Sequence, residues 1–229
     1  MKIFRNLNEI HDLEACAVTV GNFDGVHRGH LRLLEVLRDA ADRLGLPAVV
    51  MTFDPHPAVV LRGVQPAPIN WLERKLGILS QSGVDAVLAY PTDHALLELS
   101  PEAFFYEVLI GRLGTKAIVE GADFRFGHNR AGDTTLLQTL CEKEGIICTI
   151  VPPVIWASQP VSSSRIRECL ALGDVAKAAE LMSRPFRTCG EVVRGAGRGR
   201  SLGFPTANLA KVRTLLPKPG IYAGAVPIG

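Results

Sequence analysis

Five short runs along the chain are apolar at almost every position: Ala17–Phe23 (AVTVGNF), Ala48–Phe53 (AVVMTF), Ala86–Tyr90 (AVLAY), Ala117–Glu120 (AIVE) and Ile146–Val151 (IICTIV). They are rich in small or β-branched residues and do not alternate with polar ones, which predicts strands covered on both faces. Helical periodicity falls between them. Leu31, Leu34, Leu37, Ala41 and Leu44 mark one face of a helix that stops at Gly45 and Pro47. Trp71–Leu79 is a second helix. Ser100-Pro101-Glu102 reads as an N-cap with proline at the first helical position, opening a third through about Arg112. Thr134–Glu144 is a fourth, stopped by Gly145. Strand and helix alternate, so the predicted class is α/β with a doubly wound, mostly parallel sheet.

The pattern changes after Val151. Ser162–Leu172 and Asp174–Ser183 predict two helices split by Gly173. From Arg187 onward come glycines, a GFPT turn and short β-like runs at Glu191–Val193 and Ile221–Val226. A domain boundary is expected near Ser183–Phe186, dividing the chain into 1–185 and 186–229. The second part is too short for a substantial core of its own. Of the 229 residues, 47% are hydrophobic and 21% charged, and the formal net charge is +2. That is a soluble globular balance. It argues against a general nucleic-acid binder and leaves room for a local basic pocket. Five cysteines without a CxxC pair predict a reduced, cytoplasmic protein with buried thiols. The opening MKIFRNLNEIHDLE turns polar too early for a signal peptide, and no apolar run approaches the ~20 residues of a bilayer span, so no membrane role is expected.

Candidate chemistry sits where strands end. GNFDGVHRGH (residues 21–30) closes the first strand and opens the first helix, the place where open parallel sheets bind ligands. Gly21, Gly25 and Gly29 permit tight turns and close backbone approach. The helix amides favour an anion, and His27 and His30 flank the same spot as hydrogen-bond donors. Other readings of the pair are half of a metal site, for which no third and fourth ligands stand at recognisable spacing, helix caps or packing, and Asp24 reads as a turn residue or a ligand contact. TFDPHP (52–57) ends the second strand with Phe53 and His56 on a proline-stiffened loop, suited to a flat ring or simply a turn. EGADFRFGHNRAGD (120–133) interleaves Phe124 and Phe126 with Asp123, Arg125 and Arg130, a surface loop or a seat for a planar heterocycle. SSSRIR (162–167) offers hydroxyls, amides and two arginines at a helix start, a second anion-binding end or a plain cap.

In this order the motifs acquire a resemblance. GNFDGVHRGH resembles the HxGH signature of nucleotidyltransferases and SSSRIR their second phosphate motif. With TFDPHP and GADFRFG between them, residues 15–185 resemble the FMN adenylyltransferase module of the prokaryotic bifunctional riboflavin kinase/FAD synthetase family. GRGRSLGFPTANL, with PTAN at 205–208, resembles the opening of that family's riboflavin kinase module. The resemblance implies a Rossmann-like nucleotidyltransferase fold followed by the start of a small β-barrel domain. It also implies a reaction in which FMN attacks the α-phosphorus of ATP, giving FAD and pyrophosphate with Mg²⁺ as cofactor. It assigns His27, His30 and Arg165 to catalysis. Asn22, Phe23, Asp24, Gly29, Ser163, Ser164 and Arg167 would bind ATP. Phe53, Pro55, Pro57, Asp123, Phe124 and Phe126 would meet the flavin. Thr206 and Asn208 would hold Mg²⁺ and nucleotide phosphates in the kinase module. SSSRIR departs from the family's SSTRIR only by Ser164, which keeps the hydroxyl.

A flavin- or nucleotide-binding regulatory module on the same fold is the alternative, as is transfer to another phosphorylated acceptor. The intact histidine pair beside SSSRIR favours an enzyme, and the DFRFG loop favours flavin. RGAGRGRSLG has neither Walker A nor dinucleotide spacing. The family's kinase module continues past Gly229, and after Asn208 this chain holds no Asp, Glu or His to act as base. Riboflavin phosphorylation is therefore expected only of a complete second domain.

Overall fold

The computed structural model describes residues 1–10, 13–63, 66–196, 199, 203–204 and 206–226. Pro205 of the PTAN motif and parts of the glycine-rich stretch 194–200 lie outside the described residues, as does Gly229. Six strands, β1 (Lys2–Phe4), β2 (Cys16–Val20), β3 (Ala48–Phe53), β4 (Ala86–Tyr90), β5 (Thr115–Gly121) and β6 (Ile147–Val151), pair in parallel in the order β1-β4-β3-β2-β5-β6. The buried run of β2, closed on both sides by partner strands, is what its sequence, apolar except at Thr19, requires.

The helices are α1 (Arg28–Leu44), α2 (Pro57–Arg62), α3 (Leu72–Gln81), α4 (His94–Leu97), α5 (Pro101–Ala103), α6 (Thr134–Lys143), α7 (Ser163–Leu172) and α8 (Val175–Met182). Leu34 and Leu37 of α1 and Leu76 and Leu79 of α3 pack with Ala17, Val50 and Val87 on one face of the sheet. Phe105, Val108 and Leu109, with Leu137 and Leu140 of α6, pack with Val18, Met51 and Ile118 on the other. A third cluster joins Ile166 and Leu170 of α7 to Leu181 and Met182 of α8, and Ile69 belongs to it. The chain runs β2→β3→β4 to one side and then places β5 on the other side of β2. The order therefore reverses between β2 and β5, and ligands of open α/β sheets bind beyond the carboxyl ends at that point.

Several expectations shift. The first strand ends at Val20 rather than Phe23, because Phe23 takes a left-handed backbone (φ 48°) and turns the chain. The helix opened by Ser100 continues after α5 as a π-helix, Phe104–Ile110, which wedges Phe104 and Phe105 into the core. The proline loop after β3 holds a helix: His56 Nδ1 caps the Ala58 N–H and Pro57 stands at its first position. Ile221–Val226 forms no strand; Ile221 is wholly exposed, and no strand pairs with this run among the described residues. β9 (Glu191–Val193) does form, antiparallel to β10 (Asn208–Ala210); a two-residue hairpin pair, β7 (Ile155–Trp156) and β8 (Gln159–Pro160), precedes α7.

Candidate active site

The loop from β2 to α1 is wound tightly. Gly25 (φ 81°) and Val26 (φ 38°) are left-handed as well as Phe23, a conformation that a β-branched residue adopts only when held there. What holds it is burial and one cation. Phe23 and Val26 are almost fully buried. Arg184, from the end of α8, donates Nη1 to the Val26 carbonyl at 2.9 Å and Nη2 to that of Gly25. Arg28 reaches the same layer, donating Nε to the Glu180 carbonyl at 2.6 Å and stacking on Trp156 at 4.1 Å.

His27 is the N-cap of α1. Its Nδ1 accepts the His30 N–H and His30 Nδ1 accepts the His27 N–H, both at 3.3 Å. The rings stack with centroids 3.7 Å apart, and His30 lies 4.9 Å from the Phe23 ring. With both Nδ1 lone pairs engaged, the network assigns the Nε2–H tautomer to each neutral ring. Burial pushes His27 down to about 4, with the Arg184 charge adding to it. Burial also drives His30 well below the usual imidazole range, helped by the His27, Lys75 and Arg184 charges. Both rings are thus neutral donors at pH 7. Capping and ligand binding, alternatives in the sequence, coexist: each ring caps through Nδ1 and keeps Nε2–H. A β-carbon at Gly29 would come within 3.1 Å of the His27 ring, so glycine is what lets the backbone pass.

Asp24 is buried. Its carboxylate accepts the Ile69 N–H at 2.9 Å, the Asn70 N–H at 3.2 Å and a charge-assisted bond from Arg167 Nη2. Ser163 Oγ donates to the Asp24 carbonyl at 2.8 Å, so the start of α7 closes onto the β2 loop; Ser164 is exposed. Arg165 is buried, and its Nη1 donates to the carbonyls of Trp156 at 2.9 Å, Gln159 at 3.0 Å and Pro160 at 3.3 Å. Its Nε is buried without a partner among the described residues. The guanidinium fastens the β7–β8 hairpin.

Beside this cluster lies a cleft of about 550 Å³ lined by Asn22, Asp24, Phe53, Asn70, Trp71 and Lys75, among others. Residues 212–214 also line it, and the Leu215 N–H donates to the Pro68 carbonyl at 2.8 Å, so the tail walls one side. Pro55 and Pro57 do not line this cleft; Thr92 Oγ1 donates to the Pro55 carbonyl at 2.6 Å. On the β5 side, Phe126 is a core residue, bridged to Gly132 and stacked on Phe124 at 5.4 Å, while Asp123 is exposed. Glu120 is fully buried and accepts the Val20 N–H at 2.6 Å; burial drives its carboxyl far above the usual range. It ties the ends of β2 and β5 together at the switch point. Sequence reasoning passed over Lys75, Asn70, Arg184 and Glu120. Only Glu120, a lone acid in an apolar run, carried a local signal.

A parallel sheet whose switch point carries stacked histidine donors and a serine-capped helix end defines an α/β nucleotidyltransferase-type domain. Residues 9–165 match the family model for FAD synthetase and residues 182–229 that for riboflavin kinase. The bifunctional riboflavin kinase/FMN adenylyltransferase of Escherichia coli K12 is 37% identical over 226 residues, covering 97% of this chain and 72% of that protein. A Streptococcus pneumoniae chain solved under the name macrolide-efflux protein superposes with TM-score 0.84 at 33% identity, over 95% of this chain and 71% of that one. That name stays with the neighbour; no helix among the described residues is long and apolar enough to cross a membrane. A Francisella tularensis pantoate–β-alanine ligase, 14% identical with TM-score 0.50 over 86% of this chain and 90% of its own, shares the fold. The chain belongs to the FAD synthetase family and carries riboflavin kinase family sequence after it.

Proposed function

We propose that residues 1–185 transfer the adenylyl group of ATP to FMN, giving FAD and pyrophosphate in flavin cofactor synthesis. An FMN phosphate oxygen attacks the α-phosphorus; the bond from that phosphorus to the α,β-bridging oxygen breaks, and its electron pair leaves with pyrophosphate. A phosphate monoester has its second pKa near ~6, so at pH 7 the nucleophile is largely a dianion and needs no general base. The observation that carries the reading is the reciprocal cap of His27 and His30. It takes both Nδ1 lone pairs out of play and leaves two preorganised Nε2–H donors for charge building at the α-phosphoryl group. The amides of Gly29 and of the α7 start at Ser163 and Ser164 take the departing phosphates. Arg167, aimed by Asp24, supplies charge there, and Arg165 positions the hairpin beside them. Asn22 and Phe23 line the nucleotide side. Phe53, Phe124 and Asp123 face the flavin, with Phe126 backing Phe124 and Pro55 and Pro57 shaping the loop.

Among the described residues no group of three or more His, Cys, Asp or Glu side chains is placed to hold a metal ion, and Asp24 is committed to two amides and an arginine. At the adenylyl-transfer site these residues do not fit a protein-held metal; Mg²⁺ arriving with ATP would offset the charge of the nucleotide's phosphates there. Residues 186–229 form the first part of a riboflavin kinase module. There Thr206 and Asn208 lie against Gly199 and Gly195, whose missing β-carbons make room for them; we assign Thr206 and Asn208 to nucleotide and Mg²⁺ binding in the complete module. A cytoplasmic location belongs to the same proposal. The test is formation of FAD and pyrophosphate from FMN and ATP; a regulatory binder would hold both ligands and release neither product.

A further inference from the structure

The cleft contains more polar capacity than the fold uses. Lys75 and Asn70 are each more than nine-tenths buried, and both line it. Lys75 Nζ donates to Thr52 Oγ1 at 3.3 Å, and Thr52 Oγ1 donates to the Asn22 carbonyl at 3.2 Å. An ammonium has three donors, so this bond leaves capacity for a ligand. Asn70 Nδ2 and Asn22 Oδ1 are buried with no partner among the described residues. Buried donors without partners carry a desolvation cost that a ligand removes. The walls of the same cleft include the rings of Phe53 and Trp71, while Asp54, also at its edge, is solvent-exposed.

We propose that Lys75 and Asn70 bind the phosphate monoester of the acceptor flavin and so make the site select FMN over unphosphorylated riboflavin. The inference rests on the adenylyl-transfer reading above. A dianionic acceptor must approach a polyanionic triphosphate, and a buried ammonium at the cleft offsets that repulsion where water does not. Asn70 Nδ2 adds a directed donor to the same group of oxygens. Phe53 and Trp71 give the ring system its apolar walls.

The experiment is equilibrium binding of FMN, riboflavin and ATP to the wild-type chain, Lys75→Met and Asn70→Ala, with flavin fluorescence and calorimetry as readouts. Lys75→Met is expected to weaken FMN by about tenfold or more, and Asn70→Ala by about threefold to tenfold, from the loss of hydrogen bonds to a charged group. Riboflavin and ATP should change by less than about twofold. Lys75→Arg should restore most of the FMN affinity. Parallel loss of FMN and riboflavin would overturn the proposal, as would loss of ATP alone or no change. Should Lys75→Met fail to fold, Asn70→Ala carries the same comparison, since it deletes a group with no protein partner. Failure of the wild-type chain to make FAD would reject the underlying reading. A wild-type chain that makes FAD without the FMN-against-riboflavin split would reject this inference alone.

Discussion

Acid should undo the cap at the start of α1. His27 holds its proton at about 4 against 6.5 for an ordinary imidazole, first because burial strips the charged form of its water and then because Arg184 repels it. The folded protein thus binds this proton more weakly than the unfolded chain, so the stability linked to it is fully present above pH 6.5 and lost as pH falls through 4. The gap between those values corresponds to about 3 kcal/mol, of which about 2 kcal/mol is gone by a pH of about 4.5. The loss has a structural meaning: a proton on Nδ1 removes the acceptor for the His30 N–H and places charge beside Arg184. Urea unfolding at pH 7 and near pH 4.5, for wild type and His27→Asn, isolates it. Asparagine is a good N-cap that does not titrate, so wild type should lose about 2 kcal/mol more than the variant on acidification. Equal acid sensitivity in the two proteins, or a His27 ring signal that titrates near 6.5 by NMR, would refute the neutral-donor assignment.

Two further substitutions probe the same cluster. His30→Ala should lower turnover by roughly a hundredfold to a thousandfold, the usual effect of removing one preorganised donor, while FMN affinity stays near wild type; stopped-flow turnover with an independent binding measurement separates the two. Asp24→Ala strips the acceptor from Ile69 and Asn70 and leaves Arg167 without its carboxylate, and should cost about 3 kcal/mol of stability, read by denaturant unfolding.

Much of the frame was legible in the chain. The strands β3 and β4 fall where their apolar runs begin and end, and α1 stops at Gly45 because glycine accepts the left-handed cap that the next residue needs. β1 was missed: a three-residue edge strand, half of it in solvent, has no apolar run to announce it. The short α2 hid because its prolines speak for a turn until His56 is seen capping it. For the site, the motifs located the loops, and the side chains then divided the work in ways spacing alone does not encode. SSSRIR contains two arginines of equal appearance. One fastens a hairpin through three carbonyls, and the other is aimed by Asp24. Phe124 and Phe126 look alike in DFRFG, but only Phe126 is within the core. Lys75 comes from an amphipathic helix where basic residues are ordinarily solvated, and Arg184 from the segment just past α8; the burial of the one and the half-burial of the other depend on contacts more than twenty residues away. The resemblance to a flavin-synthesising family, read from motif order, coincides with the family models that match residues 9–165 and 182–229.

The central claim is adenylyl transfer built on two neutral imidazole donors. Its most direct measurement is chromatographic separation of flavins after incubating the chain with FMN, ATP and Mg²⁺, with pyrophosphate counted in parallel. The account predicts FAD and pyrophosphate in equal amounts, formed by wild type and nearly abolished in His30→Ala. Tight binding of FMN and ATP with no FAD would contradict it, and so would FAD formation that His30→Ala leaves intact.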